Sequence, residues 1–87
     1  MVLMTYTATL AGQPLVKGTM QEVQAASMGV LTELLAEDPD GVAMSAAQAN
    51  RDFQAGSVGA TVASVGEWRC PIWVHGEAKT LIVTKEG

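Results

Sequence analysis

Histidine and cysteine occur once each, as His75 and Cys70, and the 87 residues include only five Lys or Arg. A single thiol cannot form an intrachain disulfide, and a small domain without cross-links suits a reducing compartment, so a cytoplasmic location is expected. Durable metal sites need three or four ligands in fixed geometry. Cys70 and His75 lie five residues apart in a segment that reads as a strand, so they point to opposite faces roughly 16 Å apart. They supply no metal site, and no thiol–imidazole pair unless Pro71 breaks the strand or a second subunit supplies the partner. Five scattered cations are too few for the basic cluster that binds phosphate backbones, so direct nucleic-acid binding is not expected.

No apolar run approaches the roughly 18–20 residues that cross a bilayer, and Met1–Thr5 lacks a basic region followed by a long apolar stretch. Neither membrane association nor secretion by a standard signal is expected. Closely spaced glycines between a strand and a helix are also missing, since Gly56 and Gly59 follow an expected helix with no lysine near them. Asp38-Pro39-Asp40-Gly41 lacks the further acidic ligands of a calcium loop and reads as a helix-stop turn. With no catalytic, cofactor-binding or metal-binding constellation, a non-enzyme is expected.

What is abundant is small and apolar. Hydrophobic residues make up 48% of the chain, more than so small a globule hides easily, which favours a homo-oligomer, with a dimer first, or another protein as partner. One domain over residues 1–87 is expected. The net charge of -4 is unevenly spread, because Glu22, Glu33, Glu37, Asp38 and Asp40 fall between Gly18 and Asn50 without a single cation.

Residues 2–10 alternate in the period of a half-buried strand, and Gly12-Gln13-Pro14 turns the chain into a short edge strand at Leu15-Val16-Lys17. Thr19-Met20-Gln21-Glu22 has the form of a capping box, and Val23, Ala26, Val30 and Leu34, flanked by Ser27, Leu31 and Leu35, form a helical stripe over 20–37. Ser45-Ala46-Ala47-Gln48 repeats the capping pattern before a second helix over 46–55, with Gly56 as terminator. Residues 42–44 stay open between a strand stub and a loop that inserts Met44 into the core. From Ser57 the period reads as two, giving a three-stranded C-terminal meander through 57–63, 68–75 and 80–84. The expected fold is α+β: two helices packed on one face of a small antiparallel sheet of four to five strands, in the order β-β-α-α-β-β-β.

The segment from Trp68 to His75 is the most informative. Alternation puts Trp68, Cys70, Ile72 and Val74 on the core face, leaving Arg69, Trp73 and His75 on the other with Thr5 and Thr7 of the first strand. If Pro71 bulges the strand, the faces exchange and Trp68 becomes the exposed ring. Trp and Arg are the residues most enriched at binding hot spots, so Arg69, Trp73, His75, Thr5 and Thr7 are the candidate partner-binding residues of a non-enzymatic interaction domain expected to self-associate through its sheet face or an edge strand. The runner-up is a small acidic inhibitor or regulator of phage or mobile-element type, in which Glu22, Glu33, Glu37, Asp38 and Asp40 occupy a basic surface of another macromolecule.

Overall fold

A computed structural model of the chain describes residues 4–86. The elements are β1 (Thr5–Leu10), β2 (Gln13–Gly18), α1 (Met20–Glu37), α2 (Pro39–Gln54), α3 (Ser57–Val65), β3 (Glu67–Val74) and β4 (Glu77–Glu86). The fold is α+β as expected, with helices packed against one antiparallel sheet of strand order β2-β1-β4-β3. No helix among the described residues is long and apolar enough to cross a membrane. The expected strand over 2–10 is seen as β1, and its first two residues lie outside the described residues.

Two hairpins build the sheet. Each closes on two residues with positive φ, Ala11 (52°) with Gly12 (81°) and His75 (49°) with Gly76 (80°), the backbone twist that suits a two-residue hairpin. β1 and β4 pair in the centre, so the first and last strands lie side by side in the middle of the sheet while β2 and β3 form its edges. Cross-strand rows Ala8–Val83–Trp68 and Leu10–Leu81–Cys70 line the inner face, continued by Ile72 and Val74. Val23, Leu31 and Leu34 of α1, Val42, Ala49 and Phe53 of α2, and Val58 and Val62 of α3 complete the core. Each such aliphatic contributes roughly 1.5–3 kcal/mol by leaving water.

α1 starts where its capping box says. The Glu22 N–H donates to Thr19 Oγ1 at 3.2 Å, and the Thr19 N–H donates to Glu22 Oε1 at 3.0 Å. At the other end the sequence expectations need correction. Asp38-Pro39-Asp40-Gly41 does stop α1, but it restarts a helix at once: Pro39 takes the first position, where a missing N–H costs nothing, and Asp38 Oδ1 accepts from the Gly41 N–H at 3.3 Å. A Cβ at Gly41 would fall 2.1 Å from Asp38 Oδ2, so the cap requires glycine there. α2 therefore begins seven residues before the expected 46, and residues 42–44 are helical, with Val42 buried and Met44 85% exposed. Ser45 is not a cap but a buried mid-helix residue whose hydroxyl donates to the Val42 carbonyl at 3.2 Å.

A further correction concerns 57–63, which forms α3 rather than a strand, so the C-terminal part is a hairpin and not a meander. Val58 and Val62 satisfy a four-residue helical period as well as a two-residue one, and they are the two residues α3 buries. Gly56 (φ 76°) and Gly66 (φ 92°) hold the left-handed conformations that bracket the helix, and the Gly66 N–H closes it on the Val62 carbonyl. Ala60, which a strand would have turned inward with the valines, is exposed.

Candidate interaction surface

The register of β3 on β4 runs without interruption from Glu67↔Thr84 to Val74↔Glu77, so Pro71 does not bulge the strand. The reason lies in the ladder. In an antiparallel pair alternate residues turn their N–H away from the partner strand, and Pro71, opposite Thr80, occupies such a position on an edge strand. The faces therefore keep the order that alternation predicts: Trp68 is 5% exposed inside, and Trp73 is 50% exposed outside. Trp68 stacks tilted against Phe53 at 5.4 Å, and its indole N–H donates to Asp52 Oδ2 at 3.0 Å.

The outer face carries Thr5, Thr7 and Thr9 of β1, Thr80, Ile82 and Thr84 of β4, and Arg69, Pro71 and Trp73 of β3. No helix covers it. Lys17 and Glu86 form an ion pair at 2.6 Å that spans β1 across this face, and Arg69 pairs with Glu67. That pair raises the Arg69 pKa further, chiefly through the hydrogen bond. Thr7 Oγ1 is shielded from solvent and has no hydrogen-bond partner among the described residues.

The five expected partner-binding residues are only partly brought together. Arg69 and Trp73 share the outer face of β3, but Thr5 and Thr7 lie across the sheet at its other end, where Thr7 pairs with Thr84 and Thr84 with Glu67. Trp73 stands opposite Ala78, so its neighbourhood is the β3–β4 hairpin tip and not the threonine row of β1. His75 has left the strand for the turn. Its backbone N–H donates to Asp38 Oδ2 at 2.7 Å, and its Nε2 lies 3.3 Å from Glu37 Oε1. The hydrogen bond from the His75 backbone is the largest influence holding the Asp38 carboxyl below its ordinary value of 3.8.

The acidic residues also separate. Glu37, Asp38 and Asp40 meet at the α1–α2 junction and Glu33 lies one turn back on α1, whereas Glu22 sits in the cap at the far end of that helix. Fifteen residues of helix put about 22 Å between Glu22 and Glu37.

Sequence reasoning missed a groove of about 440 Å³ between α2 and the exposed edge of β3, lined by Asp40, Gly41, Met44, Ser45, Gln48, Cys70, Pro71 and Trp73. Its floor is closed by Ser45, whose Oγ accepts the outward-pointing Trp73 N–H at 3.2 Å. Cys70 lies buried beneath, and desolvation, with Asp52 adding to it, pushes the thiol pKa up. That favours the neutral thiol over the reactive thiolate. No group of three or more His, Cys, Asp or Glu residues that could hold a metal ion occurs among the described residues. Comparison with protein families, with curated proteins and with solved structures returns no match.

Proposed function

We propose that this chain is a non-enzymatic protein–protein interaction domain that self-associates, as a dimer, through the outer face of its sheet. The observation that carries the reading is the half-exposed Trp73 on a sheet face that no helix covers. A large aromatic left in water is costly, and a two-fold dimer buries the same patch twice. Of the two routes open to a small sheet, the face is favoured over the edge. Pro14 of β2 and Pro71 of β3 leave each edge strand short of a donor, which blunts strand addition.

Geometry sets the expected strength. Four strands at about 4.8 Å spacing and ladders of roughly eight residues give a face of about 500 Å² in plan, below the ~800 Å² per partner of a standard interface. The dimer is therefore weak, and the reading places it in a reducing, cytoplasmic setting where the lone thiol stays free.

The test is sedimentation equilibrium from micromolar to near-millimolar protein. The wild-type mass should rise from 9.1 kDa towards twice that value, with little dependence on salt. Ile82→Lys and Trp73→Ala should hold the mass at the monomer value while leaving the circular dichroism spectrum unchanged. A wild-type mass that stays monomeric at the highest concentration refutes self-association.

A further inference from the structure

We propose that the groove between α2 and the edge of β3 docks a segment of another protein that presents an arginine beside an apolar residue, the guanidinium resting on Trp73 with Asp40 as its counter-charge. This rests on reading the chain as an interaction domain, but not on its self-association. Three independent features of the groove support it.

The first is apolar and aromatic. Met44 at 85% and Trp73 at 50% are two of the five large hydrophobic side chains exposed among the described residues, and both line this groove. Met and Trp are enriched in interface cores, where the thioether adapts its shape and the indole takes a cation on its face.

Charge is the second. Asp40 is the only ionised side chain lining the groove, and among the described residues it has neither a salt bridge nor a side-chain hydrogen bond. Asp40, Met44 and Gln48 follow one another at four-residue steps along α2, so the groove wall runs carboxylate, thioether, amide. Glu37 and Asp38 adjoin the Asp40 end, and no Lys or Arg among the described residues pairs with either. The complement is a cation with an apolar neighbour, and arginine is the cation that stacks on an aromatic ring while pairing with a carboxylate.

The third feature is what the edge withholds. Pro71 has no N–H, and the Trp73 N–H is already given to Ser45, so an incoming strand would find no run of donors to pair with. Recognition must therefore work through side chains.

The test is a two-dimensional NMR titration of the 87-residue chain. The probe is the capped pentapeptide Gly-Leu-Arg-Leu-Gly, with a citrulline version of the same shape and no charge as control. The Met44 methyl and the Trp73 indole N–H should shift saturably with the arginine peptide. Citrulline should weaken binding about tenfold, the combined size of an exposed cation–π contact and a surface ion pair. Asp40→Asn should reduce affinity for the arginine peptide several-fold and erase most of its advantage over citrulline, while Ile82→Lys on the sheet face should change nothing. Equal affinity for the two peptides, shifts confined to Thr9, Thr80 and Thr84 of the sheet face, or no saturable shift at all would each overturn the proposal. A chain that stays monomeric yet binds the arginine peptide removes self-association and leaves the groove assignment standing.

Discussion

Leu31 and Leu35 stand one turn apart on α1 and differ sharply in surroundings, 2% against 38% exposed. Truncating each to alanine isolates burial from chemistry, because the same atoms are removed and alanine is favourable in either helical position. At Leu31 the lost transfer energy is about 0.8 kcal/mol for each of three carbons, and the cavity left between α1 and the sheet raises the total to roughly 3–5 kcal/mol. At Leu35 much of the side chain already meets water and a cavity fills with solvent, so the cost should stay below about 1 kcal/mol. An 87-residue domain holds about 4–13 kcal/mol of stability at 0.05–0.15 kcal/mol per residue, so the Leu31 loss takes a large share of the whole. Urea unfolding followed through the fluorescence of the tryptophans reads both variants directly, and Leu31→Ala should also lower the Tm by more than ~10 °C. A Leu31→Ala cost below about 1 kcal/mol, or equal costs at the two positions, would show that the stripe does not face the core as described.

Ala11 holds φ 52°, a conformation that charges an L residue about 1 kcal/mol, while its N–H donates to the Thr80 carbonyl at 3.0 Å, a bond that glycine keeps. Ala11→Gly should therefore raise the Tm by a few degrees, and an unchanged or lower Tm in a thermal scan refutes the strain argument. Asp38 caps α2 and accepts from the His75 backbone, which depresses its pKa below 3.8. A carboxyl depressed on folding stabilises the protein above its unfolded pKa, and this contribution disappears as pH falls through the lower folded value. Asp38→Asn should consequently be less stable than wild type above pH 5, with the gap closing below about 3.8; a gap independent of pH between 6 and 2.5 would rule this out.

How far the sequence reveals this fold depends on whether a local signal has one solution or two. α1 was legible to the residue because a capping box, a helical stripe and a breaker agree, and none of them fits a strand. The segment 57–63 carries no such agreement. Its valines satisfy both periods, its small residues are neutral, and only the bracketing pair Gly56 and Gly66 marks a helix. Pro39 misled for a related reason. Proline ends a helix it stands inside and begins one at its first position, and the deciding observation, the Asp38 side chain turning back to Gly41, is a contact and not a composition. The same early start of α2 hid the groove: Asp40 and Met44 join Gln48 in one stripe only if the helix begins at 39, and Trp73 is some thirty residues away along the chain.

The apolar content of the chain points to a partner less directly than its size suggests. Much of the 48% is alanine, and Ala25, Ala36, Ala43, Ala47, Ala60 and Ala63 lie exposed on the helices, where alanine is favoured for its helix propensity and loses little by facing water. Setting these aside leaves Met4, Leu35, Met44, Val65 and Trp73 as the exposed large hydrophobics among the described residues. Single apolar residues scattered over a surface need no explanation. Met44 and Trp73 are not scattered: they come from different elements and converge on one groove, beside which Pro71 lacks an N–H and the Trp73 N–H is given to Ser45. It is this convergence, and not the hydrophobic fraction, that gives the α2–β3 side of the domain its claim to be a binding surface.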